Sequence, residues 1–326
     1  MVDLTTTYLG LKLKNPIIAG SSGLTNTLED IKEFENAGVG AVVLKSVFEE
    51  EIRKEKNSSA PENKEFPYAN TMDFYRSSDV QTTLNDYLDL ISKAKKETDI
   101  PIIGSINCVT AENWISFAKK IEDAGADAIE LNIFLLPSDI NNSSQYIEDL
   151  HLEIIKKVKT SIDIPISVKI SFYFSNLAGF IKKLSETGIN GIVLFNRSYN
   201  IDFNIANLEV VSSNIFSTPG EIIFPLRWIA IMANRTSCDL AASTGVHNGK
   251  GVIKQLLAGA SAVQVVSTLY KNGKSYVTIM LDEIVNWMSI KGFNKISDFH
   301  GKMSREEVEN PAEYERVQFM KFYSGK

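Results

Sequence analysis

The sequence is poor in cysteine, has no long apolar run and lacks an excess of positive charge, and each of these features excludes a class of protein. Two cysteines among 326 residues, Cys108 and Cys238, cannot form a disulfide framework, so we expect a reducing, cytoplasmic location. No apolar run approaches the ~18 residues of a membrane-spanning helix. The net charge of -6 argues against a nucleic-acid-binding surface.

Two familiar signals are also missing. The N-terminus MVDLTTTYLG has no basic region followed by an apolar run, so we predict no signal peptide. No Gly-x-Gly-x-x-Gly follows the first predicted strand, which disfavours a dinucleotide-binding sheet. No metal site is predicted. The remaining composition is that of an ordinary globular protein.

Short apolar strands alternate with amphipathic helices along most of the chain. After a short hairpin at 9–13, strands are predicted at 15–19, 41–44, 101–106, 128–131, 165–168, 191–195, 239–242 and 262–266. This alternation predicts a parallel sheet, and eight units indicate an α/β fold of the (β/α)8 TIM-barrel type. An open doubly wound sheet is the alternative. We expect one domain over residues 1–326, with a core at about 9–290 and a C-terminal helical tail at 291–326.

Three segments depart from the alternation. A long loop after strand 2, residues 47–80, begins with a charged half and continues with an aromatic half. Loops of this length often form lids or binding loops, although a solvated insertion is an equal alternative for the charged half. An irregular excursion is predicted up to residue 218. Helices are expected in the tail at 275–290 and 305–310.

The stretch from Asp239 to Tyr270 carries two turns of small residues after two neighbouring strands. Asn248 is a predicted helix N-cap between them. Such paired turns place free backbone N–H groups side by side, which is how a protein can hold a phosphate without a basic side chain. In barrels of this type a phosphate site commonly follows strands 7 and 8. The alternative is a packed βαβ unit without a ligand.

Polar residues end many of the predicted strands, where barrel active sites lie. They are Ser22, Lys45, Ser46, Asn107, Asn132, Lys169, Asn196, Gly245 and Ser267. A buried ammonium is costly without a partner, so packing alone does not explain two lysines at the barrel mouth. Lysines and amides around one cavity suit a planar, electron-accepting, anionic ligand such as a flavin. Any one of these residues taken alone is better explained as a solvent-facing loop group, whereas the set together favours a site.

The ordered series of short motifs resembles the dihydroorotate dehydrogenases, most closely their class 1 branch, from about residue 9 to 273. The matching pieces are Asn15-Pro16 with Ser22-Gly23, Lys45-Ser46, Glu130-Leu131-Asn132, Val168-Lys169, Asn196, and residues 256–260 with Val263-Gln264-Val265. The resemblance implies a barrel that binds flavin mononucleotide (FMN) and oxidises dihydroorotate to orotate in pyrimidine biosynthesis. It also implies a homodimer by analogy.

The resemblance also assigns roles to residues of this chain. It implies cofactor contacts at Ser22, Lys45, Ser46, Asn107, Asn132, Lys169, Thr244, Gly245, Val246, Val266 and Ser267, the last five around the phosphate. It implies substrate contacts at Lys45, Asn70, Asn132 and Asn196.

The chain departs from the family pattern where the proton acceptor should lie. The family places a cysteine or serine base before a proline, and here that position falls at Leu135/Leu136. Other candidates for the base are Cys108, Ser138 and Asp139, and we expect Cys108 to be a buried strand cysteine. The family's asparagine-rich loop after strand 2 is replaced by residues 66–70, and Thr244-Gly245 and Val266-Ser267 replace its glycine-rich phosphate turns. His247, beside the first of these turns, is expected to be an exposed loop histidine.

Four functions therefore stay open. The chain could be an FMN oxidoreductase acting on dihydroorotate or a related ring, or one with another substrate and another proton path. It could be a flavin-binding protein with little activity, or a phosphosugar barrel without flavin. The sequence does not identify the oxidant, which could be fumarate, a quinone or an electron-transfer partner.

Overall fold

Eight parallel strands close into a barrel in the computed structural model, which describes residues 2–49, 84–108, 111–197 and 200–315. In chain order the strands are β1 (Thr6–Tyr8), β2 (Leu11–Leu13), β3 (Ile17–Ala19), β4 (Ala41–Val43), β5 (Val47–Phe48), β6 (Ile102–Asn107), β7 (Ala128–Asn132), β8 (Ile166–Ile170), β9 (Gly191–Leu194), β10 (Asn200–Asn204), β11 (Glu209–Ser213), β12 (Asp239–Ser243) and β13 (Ala262–Val265).

Strand pairing decides between the barrel and the open sheet. Starting from β3, the order of neighbours runs β3-β13-β12-β9-β8-β7-β6-β4 and returns to β3, because β4 pairs with both β3 and β6. All of these pairings are parallel. The predicted TIM barrel is confirmed. The predicted hairpin is also confirmed and starts earlier, because β1 pairs with β2 across the turn at Leu9 and Gly10.

Helices follow the strands and cover the barrel. They are α1 (Leu28–Ala37), α2 (Leu84–Glu97), α3 (Ala111–Asp123), α4 (Ser144–Lys159), α5 (Leu177–Ser185), α6 (Ile223–Met232), α7 (Gly249–Ala258), α8 (Ser267–Asn272), α9 (Tyr276–Lys291) and α10 (Ala312–Glu315). Side chains of Thr27, Ser143 and Asn248 accept backbone N–H groups at the first turns of α1, α4 and α7. Such caps replace hydrogen bonds that a helix start cannot make internally.

The core has two layers because strand side chains alternate between the two faces of the sheet. One cluster lies between the strands and the surrounding helices. The other fills the barrel interior and includes Ile18, Ala128 and Val193 together with Tyr8 and Leu9 of the N-terminal hairpin. The hairpin therefore packs against the interior layer of the barrel.

Two sequence predictions are wrong. The excursion before residue 218 is not irregular, because β10 and β11 form an antiparallel hairpin in which Phe203 pairs with Val210. Residues 305–310 form turns rather than a helix, and α10 begins at Ala312. A six-residue helix is marginal in water, and Pro311 disfavours a helical conformation at Asn310.

The loop after strand 2 is described only at its start. Val47–Phe48 forms β5 and pairs with β6. The rest of the predicted lid, including Asn70, lies outside the described residues. Within the described ranges, no helix combines the length and the apolar character needed to cross a membrane.

Candidate active site

Strand register brings several of the predicted site residues to one row at the C-terminal end of the barrel. Asn132 of β7 is the register partner of Lys169 of β8, and Lys169 is in turn the partner of the interior residue Val193. Asn196 follows β9 and its Nδ2 donates to Asn132 Oδ1 at 2.5 Å. Two amides and one ammonium thus line neighbouring strands at the barrel mouth.

Lys169 forms the centre of a buried polar triad that also contains Glu130 and Gln264. Lys169 Nζ donates to Gln264 Oε1 at 2.8 Å and lies 3.6 Å from Glu130 Oε1. Gln264 Nε2 donates to Glu130 Oε2 at 2.5 Å, and Glu130 is only 1% exposed. Because a buried charge needs a partner, these contacts explain how the lysine is kept inside the barrel. Sequence reasoning singled out Lys169 without its partners, although a glutamate and a glutamine within buried strands were a usable signal.

A chain of serine hydroxyls lies on the opposite side of the barrel mouth. Ser46, after β4, has its Oγ 2.7 Å from Ser105 Oγ and 3.1 Å from Ser21 Oγ. Ser105 N donates to Tyr87 Oη at 2.8 Å. Ser22 Oγ accepts the backbone N–H of Leu24, so that side chain caps a short helical turn.

Lys45 and Asn107 are two further predicted site residues at the ends of strands. Lys45 lies directly before Ser46, and its backbone N donates to Thr25 O at 3.4 Å. Asn107 ends β6 beside Phe48. Both belong to the same end of the barrel as Asn132 and Lys169.

The two predicted phosphate turns are adjacent, since β12 and β13 pair with each other. We define the phosphate turns as residues 244–246 and 266–268. Thr244 and Gly245 both have positive φ, +80° and +78°. A side chain at Gly245 would place its Cβ 2.1 Å from Ile222 N, so only glycine fits there. None of the hydrogen bonds in the described part of the chain uses the backbone N–H groups of Gly245, Val246, Ser267 or Thr268. These four N–H groups lie on adjacent turns and have no partner among the described residues, which suits a phosphate group.

Three further residues lie against these turns. The sequence analysis did not predict two of them as site residues and placed the third, His247, in an exposed loop. Ser217 is buried, and its backbone N donates to Ser267 Oγ at 3.0 Å. His247 Nε2 lies 3.0 Å from Ser217 Oγ, and Lys271 Nζ donates to Ser217 O at 3.0 Å. The expectation that His247 is an exposed loop residue is wrong, because it is partly buried and bonded to Ser217. Ser217 follows the excursion hairpin, and nothing local in the sequence connects it to residue 267.

The loop after β7 contains the position where the family pattern requires a base. Leu136 is 43% exposed, and Leu135 packs against the core. Asp139 Oδ1 accepts the backbone N of Asn141 at 2.9 Å, so this carboxylate is engaged in a local turn. Ser138 is exposed. Cys108 is buried and follows β6.

A buried histidine that the sequence analysis did not consider lies next to this loop. His151 of α4 has Nδ1 2.7 Å from Ile147 O and packs edge-on against Phe174 and Phe180. Burial lowers the pKa of His151 to about 4, while hydrogen bonds to the backbone of Ile147 and Ile133 act in the opposite direction. The ring is therefore neutral near pH 7.

A cavity of about 390 Å³ opens between the ends of β8, β9 and β12 and the start of α6. Its walls include Asn196, Thr244 and the stacked rings of Phe172 and Phe224, whose centroids are 5.4 Å apart. The volume falls in the range of small-molecule sites, and the aromatic wall suits a flat ring.

Comparisons with known proteins agree with this geometry. The family model described as dihydroorotate dehydrogenase matches residues 3–288. The chain belongs to the dihydroorotate dehydrogenase family. It is therefore an oxidoreductase of a family that acts on CH–CH groups, as the series of motifs predicted.

Individual relatives are distant but cover almost the whole chain. The chain is 28% identical to "Dihydroorotate dehydrogenase B (NAD(+)), catalytic subunit" of Thermoplasma volcanium, over 92% of this chain and 98% of that protein. The protein of the same name from Methanocaldococcus jannaschii is 26% identical, over 87% and 93%. "Dihydroorotate dehydrogenase A (fumarate)" of Lactococcus lactis subsp. cremoris is 25% identical, over 92% and 99%.

Proposed function

We propose that this chain is an FMN-dependent oxidoreductase that binds dihydroorotate, or a closely related planar carboxylated ring, at the barrel mouth. The observation that carries the proposal is the pair of adjacent phosphate turns with four open N–H donors, on the same end of the barrel as Lys169 and the Asn132–Asn196 amide pair. Relatives over nearly the full length are named for the oxidation of dihydroorotate. A phosphosugar barrel would not need the triad around Lys169.

FMN bound at this site would supply the hydride acceptor for oxidation of the substrate carbon. Its phosphate would be held at Thr244, Gly245, Val246, Val266 and Ser267, and its ring would lie near Ser22, Lys45, Ser46, Asn107, Asn132 and Lys169. The ammonium of Lys169 would favour negative charge on the reduced ring, because a fixed charge is effective where water is excluded. Lys45, Asn132 and Asn196 would bind the substrate, together with Asn70.

We further propose that dihydroorotate turnover is slow. The reaction needs a proton acceptor, and general base catalysis typically supplies ~10²–10⁴-fold in rate. Leu135 and Leu136 have no atom that can take a proton. A second candidate is the same chemistry on a different substrate, and the same two leucines favour it, since another substrate could use another proton path.

Two measurements test these proposals in sequence. Purified protein should carry a flavin absorbance spectrum, and a colourless protein that cannot be reconstituted with FMN would refute the cofactor. Anaerobic stopped-flow mixing with dihydroorotate should then show tight binding and slow bleaching of the flavin. Rapid bleaching would refute the slow-turnover proposal. Absence of binding would favour the second candidate, and a screen of other reductants would follow.

We also propose that the protein acts in the cytoplasm, because two cysteines are too few for a disulfide framework. We further propose a homodimer, supported by the exposed face of the β10–β11 hairpin. Phe203 is 64% exposed and its cross-strand partner Val210 is 65% exposed, and Ile201 lies on the same face. The alternating charged residue Asp202 points to the other face. An uncharged apolar patch can pack against its own two-fold copy without like-charge repulsion. Light scattering should give a dimer for the natural chain and a monomer for Phe203→Asp, and an unchanged mass would refute this surface.

A further inference from the structure

Two basic side chains converge on Ser217, the residue that bridges the excursion hairpin and the phosphate turns. His247 Nε2 contacts its hydroxyl, and Lys271 Nζ contacts its carbonyl, each at 3.0 Å. The backbone N of Ser217 in turn donates to Ser267 Oγ. Ser217 therefore connects both basic side chains to the second phosphate turn.

His247 is also connected to both turns through its own backbone. It follows Val246 of the first turn, and its carbonyl accepts Thr268 Oγ1 of the second turn at 3.0 Å. The charged groups that act on the His247 ring are Lys271 and Glu221. Glu221 already pairs with Arg197, whose Nε lies 3.0 Å from its Oε1. None of the ion pairs among the described residues involves Lys271.

We propose that His247 and Lys271 form a charged outer layer of the phosphate site and make the chain select phosphorylated over unphosphorylated flavin. This inference rests on the proposed function, because it assumes that FMN occupies the phosphate turns. The open N–H donors alone would hold a phosphate by neutral hydrogen bonds. The ammonium of Lys271, and an imidazolium at His247 once a phosphate dianion favours its protonation, add electrostatic attraction that depends on the phosphate charge and not on the flavin ring.

The protonation of His247 gives the proposal a second testable consequence, a pH dependence of FMN affinity. Burial and the neighbouring Lys271 lower the pKa of His247, so the ring is neutral near pH 7 without ligand. A phosphate dianion nearby favours the imidazolium and raises that pKa. FMN binding should therefore take up a proton at His247, and FMN affinity should increase as the pH falls from about 8.5 to 6.5, above the phosphate's own second pKa of about 6.

To test the proposal, flavin-free protein is titrated with FMN and with riboflavin. Binding is measured by the quenching of flavin fluorescence. His247→Gln and Lys271→Met should each weaken FMN binding about tenfold, because each removes a positive charge beside the phosphate, and leave riboflavin binding within about twofold. Lys250→Met is the matched control, because Lys250 is an exposed lysine close to His247 in the sequence. It should change neither affinity.

A variant that restores the positive charge shows whether the loss of FMN affinity comes from the lost charge or from a change in structure. His247→Lys supplies a permanent cation, so it should keep the FMN preference and lose the pH dependence, whereas His247→Gln should lose both. Circular dichroism melts verify that every variant is folded. Equal losses for FMN and riboflavin, or no loss for either, would overturn the charged-layer inference. Natural protein that binds neither flavin would instead refute the proposed function itself.

Discussion

At the scale of single residues, Leu136 is the position that separates this chain from its family pattern. Its side chain is 43% exposed and is not part of the buried core, so replacing it leaves no cavity inside the core. We predict that Leu136→Cys increases the rate of flavin reduction by dihydroorotate roughly 10²-fold, because a thiolate can accept the substrate proton. The rate should rise with pH as the thiol ionises, and stopped-flow traces at several pH values measure it.

Ile140→Cys is the matched control for this substitution. It adds a thiol to a 97% exposed position of the same loop, four residues further on, and should leave the rate unchanged. Equal rates for both cysteine variants and the natural chain would show that the loop does not hold the base position.

Lys169 and Glu130 are a second residue-scale feature, because each compensates the buried charge of the other. We predict that Lys169→Met alone destabilises the fold by roughly 3–5 kcal/mol, since it leaves a buried carboxylate without its cation. The double variant Lys169→Met/Glu130→Gln should recover most of that loss. Urea denaturation of the two single variants and the double variant measures the coupling. Simple additivity would mean that the 3.6 Å contact carries no energetic coupling.

At the scale of elements, the turn after β12 depends on contact with the segment before α6. Gly245 has φ +78° and would place a Cβ 2.1 Å from Ile222 N, whereas Gly188 has φ +84° with nothing within 4 Å. We predict that Gly188→Ala costs about 1–2 kcal/mol from backbone conformation alone. Gly245→Ala should cost more, because the backbone of residues 221–222 must move as well.

The same pair of variants also tests the phosphate turn. Gly245→Ala should weaken FMN binding, while Gly188→Ala, at a distant turn, should not. Thermal unfolding and flavin titration report the two effects separately. If the two alanine variants are equally stable, the close approach of residues 221–222 is not required for the fold.

At the scale of the whole molecule, the three histidines act in the same direction on acid stability. Burial lowers the pKa of His151 to about 4 and also lowers those of His247 and His300. The unfolded chain, with histidine pKa values near 6.5, therefore binds more protons between about pH 6.5 and 4. Stability should fall as the pH falls through that window, with His151 contributing on the order of 3 kcal/mol.

Urea denaturation at pH 7 and pH 4.5 measures this loss. His151→Phe fits the site between Phe174 and Phe180 and cannot titrate, so its stability should change less between the two pH values. The comparison uses the change with pH, because the variant also loses the contact with Ile147 O. An identical change in both proteins would show that His151 does not govern the acid response.

The sequence by itself determined the architecture. Alternating strands and helices predicted eight barrel units, and the predicted N-cap Asn248 begins its helix as expected, because periodicity and capping are local properties. The family followed from short motifs whose order survives at 25–28% identity. Predictions based on weaker local signals failed: the segment before residue 218 is a hairpin, and residues 305–310 are not a helix.

Only the tertiary structure decided which side chains meet. Lys169 and Gln264 are 95 residues apart, and Glu130 and Gln264 are 134 apart, yet all three point into one layer of the barrel. Ser217 reaches Ser267 across 50 residues. Such contacts depend on strand register and on the closure of β4 onto β6, which no local pattern encodes.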